Sequence, residues 1–399
     1  MRIACVLGTR PEAIKLAPVI LALRASADLR CDIVSTGQHR ELTALALEGF
    51  GLSADADLAL MRPHQTLSEL TSRALSGLAP WLALAKPDLV LVQGDTTSAL
   101  AGALAAFYAG IPVGHVEAGL RSGNPAAPWP EETNRRLISR LAHWHFAPTL
   151  LAAAQLRAEG LKADTITVTG NTGIDALLMV AARLEGNAAL AERFAFLDPD
   201  RRLILVTGHR RESFGRGLAR LAWAVGELAA RADVQVVYVM HLNPKAAAPA
   251  LAALHHRPHV HLLPPQEHAA FIWLMQRAHL IITDSGGVQE EAPSLGRPVL
   301  VARDVSDRPE AITAGTARLV GTDGTKLLRE AVGLLDDPAA WRAMARAGNP
   351  YGDGHAAARI LQVLLGRVAP AERAARRPGR PRLPLPSPIA GEMPLLEGI

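Results

Sequence analysis

Short apolar runs alternate with longer segments of helical periodicity along the first half of the chain. The runs at 3–7, 32–36, 89–93, 113–117 and 165–168 predict strands, and segments such as 12–25, 67–84 and 98–108 predict helices. The strands are apolar throughout instead of alternating, so helices are expected to cover both faces of their sheet. This pattern predicts a doubly wound, parallel α/β domain.

The same pattern then repeats, with strands predicted at 203–207, 235–240, 259–262, 280–283, 299–302 and 318–320. We therefore expect two Rossmann-like domains, 1–169 and 170–350, that face an interdomain cleft. A helix at 351–366 is expected to pack back on the first domain. Seven prolines in segment 367–399 preclude regular helix, and this tail is expected to be disordered and dispensable.

Composition narrows the class of protein. The chain has 399 residues, 49% hydrophobic and 20% charged, which is typical of a globular protein with two domains. The net charge is +4, and the tail contributes +3 of it. The rest of the chain is therefore nearly neutral and shows no basic patch typical of nucleic-acid binding. The two cysteines, Cys5 and Cys31, lie in predicted strands and indicate buried thiols. Without a signal peptide or a membrane-length apolar run, we expect a soluble cytoplasmic protein.

Charged side chains follow several strands of the first predicted domain, at the edge where ligands bind in such sheets. Arg10 and Lys15 lie at the start of a helix and could bind an anion, or could be solvated surface cations. Asp95 and Glu117 end neighbouring strands, and Glu131 lies in a Pro-rich loop. Asp95 could instead cap the next helix. Three carboxylates on one wall of a cleft indicate general acid/base chemistry.

The second predicted domain carries a nucleotide-type motif. Ser285, Gly286 and Gly287 join a buried strand to a helix, so their N–H groups could approach a diphosphate, and Glu291 could accept ribose hydroxyls. His209 also follows a strand and could contact a phosphate, and the segment with Gln266 and Phe271 could border a base. The chain has neither a G-x-G-x-x-G motif nor a Walker motif, which disfavours NAD and NTPase chemistry.

Together these motifs resemble the non-hydrolysing UDP-N-acetylglucosamine 2-epimerases, a family with the two-domain glycosyltransferase-B-like fold. The resemblance extends over residues 1–366 and is carried, in order, by 8–11, 36–41, 93–97, 115–122, 128–135, 206–215, 283–298 and 308–316. It implies reversible C2 epimerisation of UDP-N-acetylglucosamine to UDP-N-acetylmannosamine through elimination of UDP, without NAD or a catalytic metal. It also implies a homodimer and a place in cell-surface polysaccharide synthesis.

The resemblance implies residue roles as well. It places Asp95, Glu117, Glu131 and His209 in catalysis, with His209 at the diphosphate. The nucleotide-binding set that it implies is Arg10, Lys15, Gln266, Phe271, Ser285, Gly286, Gly287, Glu291 and Arg308.

Some family members bind a second, activating UDP-N-acetylglucosamine. The positions expected to form that regulatory site are Gln38, His39, Arg210 and His241. Glu41 and His64 depart from the activated pattern, so little sigmoidal dependence on substrate is expected.

Two enzyme classes remain as alternatives, together with a non-enzymatic sugar-nucleotide sensor. A glycosyltransferase of the same fold would share the nucleotide half but would not need the set Asp95, Glu117 and Glu131. A hydrolysing 2-epimerase would instead release free N-acetylmannosamine.

Overall fold

A computed structural model of the protein describes residues 1–62, 65–208, 215–306 and 308–366. In the first half, seven strands form one parallel sheet in the order β3-β2-β1-β4-β5-β6-β7. The strands are β1 (Arg2–Leu7), β2 (Arg30–Ser35), β3 (Ala56–Asp57), β4 (Leu89–Gln93), β5 (Val113–Val116), β6 (Trp144–Ala147) and β7 (Ile166–Val168). The helices between them are α1 (Arg10–Ala25), α2 (Arg40–Glu48), α3 (Leu67–Ala85), α4 (Thr97–Tyr108), α5 (Glu131–Leu141) and α6 (Leu150–Ala158).

In the second half, six parallel strands have the order β10-β9-β8-β11-β12-β13. These are β8 (Arg202–Thr207), β9 (Val234–Val239), β10 (Val260–Leu263), β11 (Ala278–Thr283), β12 (Val299–Val301) and β13 (Ala317–Leu319). The helices, in chain order, are α7 (Thr172–Arg183), α8 (Ala188–Arg193), α9 (Arg216–Ala229), α10 (Pro244–Leu254), α11 (His268–Arg277), α12 (Gly286–Glu291), α13 (Pro309–Thr313), α14 (Gly324–Asp336), α15 (Pro338–Ala345) and α16 (Ala356–Gly366).

The predicted fold class is confirmed, because both sheets are parallel and helices alternate with their strands. Every predicted strand overlaps an observed one, whereas β3 and β6 were not predicted. The short β6 contains His145, which is buried and bonds the carbonyl of Ser139 at 2.9 Å. Because this buried histidine is hydrogen-bonded, it is tolerated in the core, but it interrupts the apolar run by which a buried strand is predicted from sequence.

Two segments connect the halves: residues 170–171 lead from the first sheet to the second, and residues 349–352 lead from the second half to α16. We call them the two crossings, and they lie side by side. The N–H of Asn171 donates to the carbonyl of Tyr351 at 2.7 Å. Gly170 and Gly352 allow this approach: a Cβ on Gly170 would lie 3.4 Å from the Cα of Gly352, and both residues have positive φ. The two crossings therefore pack backbone against backbone.

Helices close to the crossings tie the two halves together. Helix α7 packs against both α1 and α11, and α16 packs against α1 and α7. The carboxylate of Asp175 in α7 accepts the N–H groups of Ala356 and Ala357, so it caps α16; burial raises the pKa of Asp175 despite these bonds. One buried apolar cluster runs through these helices from both halves. The domain limits at 169/170 and 350/351 stay a prediction.

Two further expectations concern the cysteine thiols and membrane-spanning helices. Cys5 and Cys31 are buried free thiols with their Sγ atoms 3.5 Å apart. Their hydrogen bond, and then burial, raise the pKa of Cys5. Among the described residues, no helix combines the length and the hydropathy needed to cross a bilayer. The tail from residue 367 onward lies outside the described residues.

Candidate active site

The turn between β1 and α1 is built around a glycine and a buried carboxylate. A Cβ on Gly8 would lie 2.2 Å from both Ser98 Oγ and Thr36 Oγ1, so only glycine fits there. Glu12 accepts the N–H groups of Gly8 and Thr9 at 3.0 and 2.8 Å, and the hydroxyl of Thr96 at 2.6 Å. Burial raises the pKa of Glu12, although these bonds oppose the rise. Glu12 thus joins the start of α1 to the end of β4.

Asp95 and Glu117 follow neighbouring strands, which are joined where the N–H of Gly94 donates to the carbonyl of Val116 at 3.0 Å. Asp95 forms an ion pair with Arg135 of α5, and its carbonyl accepts the amide of Asn134 at 2.9 Å. It does not cap α4, because Thr96 is the N-cap residue and accepts the N–H of Ala99. The side chain of Asp95 remains one-quarter exposed.

Glu117 has a left-handed backbone, with φ of 65°, which is uncommon for a residue with a side chain. Its carboxylate accepts Lys15 Nζ at 2.5 Å and Gln93 Nε2 at 2.9 Å. Burial alone would lower the pKa of Lys15, but attraction to Glu117 and Glu290 outweighs burial and raises it. Lys15, which sequence analysis assigned to nucleotide binding, therefore lies against one of the proposed catalytic carboxylates. Backbone strain of this kind clusters at functional sites.

A buried histidine supports the turn that carries Asp95. His115 Nε2 lies 2.7 Å from the carbonyl of Gly94. Because a carbonyl can only accept, Nε2 carries the proton. Burial lowers the pKa of His115 to about 3, so the ring is neutral near physiological pH. The bond fixes Gly94, whose φ is 68°, and with it the start of the Asp95 loop.

Two adjacent glutamates begin α5, and the structure separates them. Glu132 is fully buried and accepts the N–H of Ser122 at 2.9 Å and the guanidinium of Arg136 at 2.9 Å. Burial would raise the pKa of Glu132, but these donors outweigh it and lower the pKa. Glu131 is half-buried, and its carboxylate makes no hydrogen bond to another described residue. Glu132 therefore holds the loop in place, and Glu131 is the carboxylate available to a ligand.

The motif of the second half begins α12 at the carboxyl end of β11. Thr283 and Thr207 join β11 to β8 through a 2.6 Å hydroxyl bond, and Thr283 also accepts the N–H of Ser285 at 3.0 Å. Gly287 is exposed, and a Cβ there would meet nothing closer than Ser285 Oγ at 4.0 Å. In the first turn of α12, Gly287 therefore presents its backbone to the solvent, whereas Gly286 is buried.

Three charged residues of the nucleotide-binding prediction lie close together. Burial, and then repulsion from Glu290, raise the pKa of Glu291 to about 7, and Lys15 opposes this rise. Arg308 forms an ion pair with Glu290 through its Nε. Lys15 from α1 is thus close enough to α12 for electrostatic interaction with both glutamates. Residues from the two halves meet here.

The remaining predicted nucleotide residues lie around the start of α11. Gln266 accepts the guanidinium of Arg193 at 2.9 Å and donates to the carbonyl of Pro264 at 2.6 Å. Phe271 is partly buried and packs against the apolar cluster shared by both halves. Burial, and then the nearby charge of Arg10, lower the pKa of His268 to about 4. Arg10 therefore approaches α11 from the other half.

The predicted regulatory residues follow strands of both sheets. Gln38 accepts the hydroxyl of Ser98 at 2.7 Å, and the exposed His39 is the N-cap residue of α2. His241 follows β9, is exposed, and accepts the N–H of Asn243 at 3.0 Å. The catalytic prediction at His209, the regulatory prediction at Arg210 and the departure from the activated pattern at His64 lie outside the described residues.

Sequence reasoning missed several residues that hold this site together: Gln93, His115, Arg135, Asn171 and Glu290. All but Asn171 and Glu290 lie in motifs already singled out around Asp95, Glu117 and Glu131. A search for donors one helical turn from each carboxylate could have found Arg135. No local signal links Asn171 to Glu290, because the two lie 119 residues apart in the chain.

Two doubly wound sheets with charged side chains at their carboxyl ends define a two-domain α/β protein of the glycosyltransferase-B-like class. A family model described as UDP-N-acetylglucosamine 2-epimerase matches residues 21–365. The chain belongs to this family.

Three similar proteins illustrate the relationship. The Escherichia coli K12 UDP-N-acetylglucosamine 2-epimerase is 52% identical over 91% of this chain and 98% of its own length. The crystal structure of the Neisseria meningitidis UDP-GlcNAc 2-epimerase bound to UDP-GlcNAc has a TM-score of 0.84 and 45% identity, covering 92% of this chain and all of that one. The Methanocaldococcus jannaschii enzyme in complex with UDP-GlcNAc and UDP has a TM-score of 0.75 and 33% identity, covering 92% and 100%.

Proposed function

We propose that this protein interconverts UDP-N-acetylglucosamine and UDP-N-acetylmannosamine as a non-hydrolysing 2-epimerase. The observation that carries the proposal is the placement of Asp95 and Glu117, each held by a cation, at adjacent strand ends of the half that faces α12. The substrate is supported by the Neisseria meningitidis relative, whose structure is described as bound to UDP-GlcNAc. The proposal includes a cytoplasmic homodimer that supplies cell-surface polysaccharide synthesis.

The chemistry requires UDP to leave first. The C2 hydrogen of the sugar has no neighbouring carbonyl in the ring, so direct removal by a carboxylate near neutral pH is too slow. When the C1–O bond breaks, its electron pair leaves with UDP and C1 becomes cationic, which acidifies C2. Loss of the C2 proton to a carboxylate then gives 2-acetamidoglucal. Protonation of C2 on the opposite face and return of UDP to C1 give the epimer.

The carboxylates of the first half are assigned to proton transfer, and the nucleotide is assigned to Arg10 and residues of the second half. Asp95 and Glu117 serve the two faces of C2, and Glu131 completes the set from α5. Lys15 and Gln93 hold Glu117 in one position, as proton transfer requires a fixed geometry. His209 assists the departure of UDP. The remaining binding set is Arg10, Gln266, Phe271, Ser285, Gly286, Gly287, Glu291 and Arg308.

Carboxamide variants test these roles. Asp95→Asn and Glu117→Gln keep the side-chain shape but remove the titrating group, so each should lower kcat by ~100-fold or more while the Kd of UDP changes little. Asp55→Asn is the matched control, because Asp55 pairs with Arg24 at the far end of α1. Near-normal turnover in both active-site variants would contradict the assignment.

The products formed from UDP-N-acetylglucosamine alone identify the reaction class. NMR should show UDP-N-acetylmannosamine approaching an equilibrium with the substrate. Free N-acetylmannosamine with stoichiometric UDP would instead identify a hydrolysing epimerase. A substrate that binds but stays unchanged until an acceptor is added would identify a glycosyltransferase.

A further inference from the structure

Glu290 is a buried carboxylate with partners from three parts of the chain. Its Oε1 accepts the guanidinium of Arg308, and its Oε2 accepts the amide of Asn171 at 2.8 Å. Its main-chain carbonyl accepts the amide of Asn349 at 2.7 Å. Only 5% of the residue is exposed. A buried charge of this kind is stable only when it is fully paired, so these donors hold Glu290 in one position.

The partners of Glu290 include both crossings between the halves, and hydrogen bonds close them into a ring. The N–H of Tyr351 donates to Asn349 Oδ1 at 3.0 Å, and the N–H of Asn171 donates to the carbonyl of Tyr351 at 2.7 Å. Asn171 thus contacts Glu290 directly, and the second crossing contacts it through Asn349. A single residue of α12 is bonded to both segments that connect the two halves.

Glu290 also interacts with two cations of the site, Arg308 and Lys15. It pairs with Arg308, and its charge contributes to the electrostatic environment of Lys15. The main chain of Arg308 is fixed separately, because its N–H donates to Ser306 Oγ, which in turn donates to Gln289. The main chain of this loop is therefore held without Glu290, whereas Glu290 contacts the guanidinium itself.

We infer that Glu290 is a positioning residue that links the crossings at Asn171 and Asn349 to the guanidinium of Arg308. It aims Arg308 at the nucleotide without touching the nucleotide itself. Asn171 acts through Glu290, because its amide keeps Oε2 occupied and leaves Oε1 to Arg308. The inference rests on the proposed use of Arg308 in nucleotide binding.

Exchanging the polarity of the Asn171–Glu290 pair tests this arrangement. Glu290→Gln places an amide against one of the two donors, so it should raise the Kd of UDP by about 10-fold, the scale of one hydrogen bond to a charged group. Asn171→Asp places a carboxylate against a carboxylate and should weaken UDP binding similarly. In the double variant the introduced glutamine can donate to the introduced aspartate and still accept from Arg308. It should recover most of the wild-type affinity.

Several readouts separate positioning from stability alone. The Kd of UDP is measured by calorimetry on folded protein, with KM and kcat for UDP-N-acetylglucosamine and the melting temperature alongside. We expect KM to rise more than kcat falls in both single variants. Asp175→Asn is the matched control: it removes another buried carboxylate at the crossings, so it should lower the melting temperature and leave the Kd of UDP unchanged.

The UDP affinities of the single and double variants decide whether Glu290 positions Arg308. Recovery of UDP affinity in the double variant supports the inference. Single variants that bind UDP like wild type, a double variant no better than the singles, or loss of folding in all three would overturn it and leave Glu290 with a role in stability only. Failure of the wild-type protein to bind UDP would instead overturn the proposed function.

Discussion

Replacing Gly287 by alanine should make the folded protein slightly more stable while weakening its binding of UDP. Gly287 lies in the first turn of α12, is exposed, and is not among the residues with positive φ. A Cβ there would meet no atom closer than 4.0 Å. The methyl group therefore does not lower the free energy of unfolding of the ligand-free protein. It does occupy the space in which the diphosphate is proposed to lie against the backbone.

The two effects have opposite signs and can be estimated. Alanine is favoured over glycine in a helix by about 0.5–1 kcal/mol, which corresponds to a rise in melting temperature of about 1–3 °C. A methyl group that keeps the diphosphate from the N–H groups of α12 removes at least one hydrogen bond to a charged group. The Kd of UDP should then rise by about 10-fold or more.

Gly333→Ala provides the matched control. Gly333 is an exposed glycine inside α14, and a Cβ there would also meet nothing within 4 Å. Thermal unfolding without ligand and calorimetric titration with UDP are measured on both variants. Both should gain stability, and only Gly287→Ala should lose affinity.

An unchanged Kd for UDP in Gly287→Ala would show that the diphosphate does not approach this turn, and the nucleotide site would have to be placed elsewhere. A loss of stability in Gly287→Ala but not in Gly333→Ala would show that the space beside Gly287 is filled by protein.

Two further predictions concern Glu291 and Gly8. With a pKa of about 7, Glu291 becomes protonated on acidification and then cannot accept both ribose hydroxyls. Between about pH 8 and about pH 6 the Kd of UDP-N-acetylglucosamine, measured on Asp95→Asn to slow turnover, should rise about tenfold, and Glu291→Gln should abolish this pH dependence. Gly8→Ala should lower the free energy of unfolding by about 1–3 kcal/mol, because its Cβ would collide with Ser98 and Thr36; denaturant titration with no loss would contradict the packing.

The fold was largely predictable from sequence because buried parallel strands are apolar on both faces. Exceptions arose where this rule fails, as in β6, where His145 is buried with its polar atoms satisfied. The local sequence could not predict that Glu132 is buried while Glu131 is partly exposed, since both residues begin the same helix. This difference depends on Ser122 and Arg136, which only the folded chain brings to Glu132.

Long-range pairs set the other limit of sequence analysis. Lys15 reads as an anion-binding residue at a helix start, yet it lies against Glu117, 102 residues away in the chain. Asn171 reads as the N-cap of α7, which it is, but the same side chain also donates to Glu290. Such long-range contacts depend on the tertiary structure, and the local spacing of residues contains no information about which distant residues meet.

The fate of the C2 hydrogen tests the central claim most directly. UDP-N-acetylglucosamine is incubated with the enzyme in D2O, and the product is examined by NMR and mass spectrometry. Elimination and readdition require C2 to give its proton to a carboxylate and to take one back, so UDP-N-acetylmannosamine should carry deuterium at C2. Product that keeps its original C2 hydrogen would contradict the mechanism.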